Sequence, residues 1–318
     1  MEHIMEARED FLWTEKYRPK TIDECILPDN MKHTFNAFIE QGDLPNLILS
    51  GGPGVGKTTV AKAVLDQLGR DYMFINGSLE GRNIDTLRTT IKDYASTVSF
   101  AEGRKYVILD EADYLNAQST QPALRNFMEE YSKNCGFILT CNFKNRIIDP
   151  LQSRCSIVEF KIDNKEKPNL AATLFKRVLS ILDENNVEYN KKVVAELIQK
   201  SFPDYRRVLN TLQQASTTGA IDTGTLTSTT DDLTHLVGYL KNKEFTEMRK
   251  WVAENSDVDV NVLFRKFYDQ AYQHLKPESI PQLVVHLADY QYKSAFAVDQ
   301  EINLVALLTH VMMDCDFK

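Results

Sequence analysis

Along the first half of the chain, short continuous apolar runs are separated by segments of helical period. Asn46-Leu47-Ile48-Leu49-Ser50 is one such run, and it leads directly into glycines. Tyr72–Ile75, Tyr106–Leu109, Phe137–Thr140 and Ile157–Phe160 are four more. Between them the spacing predicts helices over Thr58–Leu68, Ile84–Ser96 and Pro122–Tyr131, the last with proline in its first turn. Continuous apolar strands alternating with helices specify an α/β fold, a parallel sheet covered on both faces.

Beyond about residue 161 the pattern turns helical, over Leu170–Leu182, Lys191–Lys200 and Arg206–Ala215. Residues 216–230 are rich in Ser, Thr and Gly and are expected to form a linker or loop. Five further helices are predicted, over Asp232–Lys241, Glu244–Glu254, Val260–His274, Ile280–Tyr290 and Asp299–Met313. A chain of 318 residues exceeds what one core usually serves. Three domains are therefore expected: α/β over 1–160, a small helical domain over 161–228, and an all-α domain over 229–318.

Composition narrows the class. With 43% hydrophobic and 26% charged residues the chain is an ordinary soluble globular protein. No apolar run approaches a bilayer span, and the start Met-Glu-His-Ile-Met-Glu lacks a signal pattern, so a cytoplasmic location off the membrane is expected. Five scattered cysteines without a Cys-x-x-Cys pair point to reduced, mostly buried thiols, not to disulfides or a cysteine-rich zinc site. A net charge of -8 excludes a uniformly basic nucleic-acid binder. Residues 231–318 hold 14 acidic against 9 basic residues, which leaves room for a local basic surface on the earlier part.

The chemistry begins where the first strand ends. Gly51-Gly52-Pro53-Gly54-Val55-Gly56-Lys57-Thr58 matches the phosphate-binding loop G-x-x-x-x-G-K-[ST], between a strand and a helix as that loop requires. Its glycines let backbone amides turn inward at phosphate oxygens, helped by the positive end of the following helix. Gly52, Pro53, Gly54, Val55, Gly56, Lys57, Thr58 and Thr59 are the candidate nucleotide contacts. Lys57 would reach the β and γ phosphates, and Thr58 would ligate Mg2+.

Tyr106–Leu109 ends in Asp110-Glu111, two carboxylates at the end of a buried run, a costly arrangement unless they have a task. Asp110 is expected to hold Mg2+, and Glu111 to orient or deprotonate the attacking water. A glutamate here points to ATP hydrolysis, since GTP switches more often position water with Gln. Asn142, after Phe137–Thr140, would hydrogen-bond the γ-phosphate or the water, or else end its strand as a turn residue. In Pro150-Leu151-Gln152-Ser153-Arg154-Cys155, Pro150 and Ser153 read as loop, and Arg154 as a solvated side chain or local salt-bridge partner.

Taken with their flanks, these stretches resemble the AAA+ ATPases and, within them, the sliding-clamp loader subunits of T4-like bacteriophages and replication factor C. Trp13–Glu24 looks like the family's opening segment beside the adenine, with Tyr17 among its nucleotide contacts. Asp110-Glu111-Ala112-Asp113 matches its magnesium motif, Gln121–Glu129 its central helix, Ser153-Arg154-Cys155 its Ser-Arg-Cys motif, and Pro203–Asn210 its lid motif. The resemblance covers about residues 11–215; residues 229–318 take the place of the family's oligomerising collar by position.

The resemblance implies that Arg154 acts in trans on ATP held by a neighbouring subunit, as a planar permanent cation can. It implies that Arg206, with Arg207 as the alternative, contacts the γ-phosphate from the lid. Arg82, Asn83, Arg88 and Lys92 would face DNA in a central channel, although a solvated helix face accounts for them equally well. Arg125 would couple DNA to Glu111. Two departures stand out. Residues 59–100 lack the cysteines of the bacterial loaders' zinc module, so no zinc is expected there, and Pro122 replaces a frequent Gln.

The expected function is an ATPase subunit of a replication clamp loader. It would assemble with copies of itself and an accessory subunit around a sliding clamp and primer–template DNA, in a phage-infected bacterial cell. The alternatives are another AAA+ remodeller, such as a helicase loader or branch-migration motor, and a non-catalytic nucleotide-binding scaffold.

Overall fold

The computed structural model describes residues 11–78, 84–97, 103–217, 219–221, 235–255, 260–294 and 296–318. The chain divides into two compact units, residues 1–223 and 224–318.

The first unit is built on five parallel strands: β1 (Leu47–Ser50), β2 (Tyr72–Asn76), β3 (Lys105–Asp110), β4 (Cys135–Cys141) and β5 (Ser156–Glu159), in the spatial order β2-β3-β4-β1-β5. All five predicted strands are present, within two residues at each end. Successive side chains alternate between two cores. Leu47, Leu49, Tyr106, Ile108 and Ile138 pack on one face against Phe35, Val60 and Val64. Ile48, Val107, Leu109, Phe137 and Leu139 pack on the other against Ile91 and Leu124. Each fully buried aliphatic side chain contributes about 1.5–3 kcal/mol, which is why a two-sided sheet tolerates so few polar residues in its strands.

Because β4 lies between β1 and β3, the chain leaves β1 towards one side of the sheet and returns from β4 to β5 on the other. That reversal opens a crevice at the carboxyl ends of β1, β3 and β4, where ligands bind in such sheets. The strand order, not the strands themselves, puts the ends of β3 and β4 beside the phosphate loop.

Helices Lys57–Gln67, Ile84–Ser96 and Thr120–Glu130 match the predicted ones, and Lys167–Glu184, Lys191–Ser201 and Tyr205–Ser216 complete the first unit. Helix Asp29–Gln41 is an element not among the predicted helices, although Met31, Phe35, Phe38 and Ile39 carry its period; it runs from Pro28 to Gly42, whose left-handed φ of 75° closes its C-terminus. Two expectations are corrected. Pro150 is not in a loop but in the first turn of a short helix, Asp149–Gln152, where proline's missing N–H costs nothing. Within the Ser/Thr/Gly-rich stretch, Ser216 ends a helix, and Ala220–Ile221 pairs in parallel with Glu188–Tyr189.

In the second unit, residues 235–242 are helical, followed by helices Phe245–Glu254, Val260–His274, Ile280–Ser294 and Gln300–Asp314. They enclose one core that includes Leu240, Met248, Trp251, Phe264, Leu283, Leu307 and Val311. Asp299 caps the last helix by accepting the N–H groups of Glu301 and Ile302. Among the described residues, no helix is long and apolar enough to cross a membrane.

Candidate nucleotide site

The phosphate loop owes its shape to two glycines in the left-handed region, Gly54 at φ 70° and Gly56 at φ 94°. Lys57, the first residue of its helix, is only 8% exposed. Its Nζ donates to the carbonyls of Gly51 (2.8 Å) and Gly52 (2.7 Å) and to Asn142 Oδ1 (2.9 Å). All three acceptors are neutral, so a buried ammonium lies here without an anionic hydrogen-bond partner. Burial accordingly lowers its pKa. A phosphate would supply the missing negative charge.

Beside it, Thr58 Oγ1 and Thr140 Oγ1 each donate to Asp110 Oδ1 at 2.6 Å. Hydroxyl and carboxylate oxygens in contact are the hard donors that Mg2+ prefers, so Thr58 and Asp110 fit that ion. Glu111 stands just past the end of β3 in the left-handed region, at φ 55°, a conformation that costs a non-glycine residue about 1–3 kcal/mol and clusters at working sites. Its N–H donates to Thr140 Oγ1 at 3.1 Å, which ties β3 to β4.

Asn142 follows β4 immediately, next to β1. Its placement is fixed by Asp113, a buried acid whose Oδ2 accepts the N–H groups of Asn142 (3.3 Å) and Phe143 (3.2 Å). With its Oδ1 engaged by Lys57, the Asn142 amide keeps Nδ2 as a donor.

One pocket brings together Tyr17, Pro53, Gly54, Val55, Gly56, Lys57, Thr58, Thr59, Asp110, Glu111, Asn142 and Arg206. Gly52 joins through its carbonyl. Arg206 enters from the lid helix Tyr205–Ser216, and Arg207 is not among the lining residues; instead its N–H is capped by Asp204 at 2.9 Å. The lid is also bonded to the loop, because Tyr205 N–H donates to the Gly54 carbonyl at 3.0 Å.

Ile26, Leu27, Leu174, Val178, Ile181 and Leu209 form an apolar wall that the sequence reading missed. Its signal was the helical spacing of Leu174, Val178 and Ile181, which locally resembles any core stripe. Arg177 was missed too: it sits in that stripe and donates to the Tyr17 and Glu24 carbonyls at 3.1 and 3.3 Å, fastening the opening segment to the lid.

The sliding-clamp-loader large subunit of Enterobacteria phage T4 is 34% identical over 323 residues, covering 100% of this chain and 98% of its own length. This chain belongs to the sliding-clamp-loader family of AAA ATPases. The replication factor C small subunit of Archaeoglobus fulgidus is 32% identical, covering 94% of this chain and 97% of its own. Residues 47–162 match the model of the ATPase family associated with various cellular activities, and residues 166–227 match that of the clamp-loader large-subunit lid domain. A RuvB variant from Thermotoga maritima shares the fold, with a TM-score of 0.54 at 18% identity over 67% of this chain and 72% of its own.

Of the remaining candidate residues of this clamp-loader ATPase, Arg88, Lys92, Arg125 and Arg154 are not among those lining the pocket. Arg154 Nε donates to Glu129 Oε1 at 2.7 Å, Nη2 pairs with the same carboxylate, and Nη1 donates to the Pro150 carbonyl at 2.8 Å. Within one chain it is thus the local salt-bridge partner that its residue type suggests, and it does not line the pocket. Arg88 and Lys92 are exposed one turn apart on helix Ile84–Ser96. Arg125 is half-buried on the central helix, and its Nε is buried without a hydrogen-bond partner. Arg82 and Asn83 lie outside the described residues.

Proposed function

We propose that this chain hydrolyses ATP as a subunit of a DNA polymerase sliding-clamp loader, in a ring with other copies of itself and an accessory subunit. The observation that supports it best is the convergence of Lys57, Asp110, Glu111, Asn142 and the lid residue Arg206 on one pocket. A scaffold that merely held nucleotide would need the loop and lysine but not the water-handling pair.

ATP would lie with its phosphates over the loop from Gly52 to Thr59 and its base between Tyr17 and the apolar wall. Thr58 and Asp110 would hold Mg2+, which when bound supplies charge stabilisation at the β and γ oxygens. Lys57 would give up a neutral carbonyl for a phosphate oxygen, a stronger charge-assisted bond. Glu111 orients the attacking water and accepts its proton, while Asn142 Nδ2 donates to that water or to the γ-phosphate. Arg206 reaches the γ-phosphate from the lid, so substrate binding and lid closure are one event.

Arg154 would leave Glu129 and complete a neighbour's site, where such an arginine adds about 10³- to 10⁵-fold in rate. ATP binding would then build the assembly that opens the clamp and grips primer–template DNA, and hydrolysis would release the closed clamp. Arg82, Asn83, Arg88, Lys92 and Arg125 are the proposed DNA-side residues; grip on phosphates would be salt-sensitive and indifferent to sequence. The cytoplasm of a phage-infected bacterium is the proposed setting.

The test is phosphate release by the purified chain with its accessory subunit, clamp and primed DNA. The expected result is stimulation by clamp and DNA together; ATP turnover unmoved by both would sink the loader function while leaving the ATPase intact.

A further inference from the structure

The second unit holds a cluster of side chains that the nucleotide chemistry does not use. His286 lies on helix Ile280–Ser294, and His310 and Asp314 lie one turn apart on helix Gln300–Asp314, which packs against it. Asp314 Oδ2 is 3.0 Å from His286 Nε2 and 3.6 Å from His310 Nδ1. One donor atom from each of the three residues falls within 4.8 Å of the others.

A hydrogen-bonded brace between two helices needs one histidine and one carboxylate. Here a second imidazole converges on the same oxygen, its ring centroid 5.2 Å from the first. Four-coordinate zinc, with bonds of about 2.0–2.1 Å to nitrogen and oxygen, sets its ligand atoms about 3.3 Å apart. The two separations from Asp314 Oδ2 bracket that value, and the two imidazole donors lie within 4.8 Å of each other.

The surroundings favour a cation. The His286 side chain is only 12% exposed, while His310 and Asp314 are 53% and 39% exposed, so the site is walled on one side and reachable from the other. The Tyr290 ring, 5.8 Å from His310, restricts that imidazole. Gln282, one turn before His286, brings its amide within 3.2 Å of the same Nε2. Since amide nitrogen and oxygen exchange places by a half-turn, Gln282 Oε1 can become a fourth ligand.

We propose that His286, His310 and Asp314 form a transition-metal site, suited to Zn2+, that clips the last two helices of the second unit together. Two imidazoles and one carboxylate are ligands that suit zinc and its neighbours, and not the all-oxygen set of Mg2+. The site is separate in sequence and chemistry from Thr58 and Asp110.

The full-length chain, stripped with EDTA and dialysed, would be titrated with Co2+ and followed by visible absorption, then back-titrated with Zn2+. One Co2+ per chain with tetrahedral-type absorption, displaced by Zn2+, is expected. Losing a direct ligand in His310→Ala or Asp314→Asn should weaken it tenfold or more, at least the loss that outer-sphere changes cause. Asp110→Asn and His33→Ala should leave it unchanged, which separates the site from the magnesium donors and from a stray surface histidine. Zn2+ should raise the thermal midpoint of the parent chain and not that of His310→Ala. Absent Co2+ absorption at millimolar metal, or a signal surviving both ligand substitutions in folded protein, overturns the proposal.

Discussion

Lys57 and Asn142 are bonded to each other across the phosphate loop, Nζ to Oδ1 at 2.9 Å, although 84 residues separate them in the chain. The bond joins the group that would hold the phosphates to the one that would sense them. Lys57→Ala should abolish ATP binding, whereas Asn142→Ala should leave binding within a few-fold and cut turnover by about 10²-fold, the usual effect of deleting one transition-state donor. Equilibrium nucleotide binding and single-turnover hydrolysis check the two separately; equal losses in both assays for Asn142→Ala would refute its assigned role.

Asp113 holds Asn142 in place without touching the pocket. Asp113→Ala would leave the buried N–H groups of Asn142 and Phe143 unpaired, at about 1–3 kcal/mol each, and should lower both urea stability and turnover. Asp113→Asn keeps an acceptor there and should recover most of the stability. Urea melts of the two variants decide it.

The lid touches the loop at Gly54, where an added Cβ would stand 1.8 Å from Asp204 Oδ1 and φ is already 70°. Gly54→Ala should therefore weaken nucleotide binding at least tenfold. Adding Asp204→Ala removes the clash but not the left-handed strain, so the double variant should regain affinity only in part. Full recovery would show that strain is immaterial.

Arg154→Ala should cost less than about 1 kcal/mol of stability, since its pair with Glu129 is partly exposed. It should keep ATP binding and lose DNA-stimulated turnover. Mixing Arg154→Ala with Glu111→Gln subunits should restore a fraction of that activity, because some interfaces then combine an intact Glu111 with an intact Arg154. Full hydrolysis by an isolated monomer would contradict action in trans.

Cys155 follows Arg154, yet burial pushes its thiol up to about 12 against the pull of that guanidinium; burial also raises Cys25 and Cys135 to about 11. Raised thiol pKa values mean less thiolate at any lower pH, on the order of a thousandfold less for Cys155 at pH 8. Iodoacetamide at pH 8 should label the unfolded chain fully and the native chain scarcely, with native labelling rising only towards pH 11. Mass spectrometry of labelled peptides reads this directly.

The sequence by itself determined the local pieces. Apolar runs of four or five residues marked all five strands, of which the edge strands β2 and β5 are partly exposed, and the Gly51–Thr58 loop and Asp110-Glu111 could be read as candidate phosphate and magnesium positions from spacing alone. Helix Asp29–Gln41 was equally legible, because Met31, Phe35, Phe38 and Ile39 fall at helical spacing. Tertiary structure alone decided the rest. The order β2-β3-β4-β1-β5 brings Asn142 to Lys57, Asp113 turns β4's exit towards the pocket, and the lid supplies Ile181, Leu209 and Arg206 from far along the chain. The clustering of His286 with His310 and Asp314 likewise depends on two helices packing together. Residues within one element reveal themselves by period and spacing. Those that meet across elements do so through strand order and helix packing, and no short stretch of sequence carries that information.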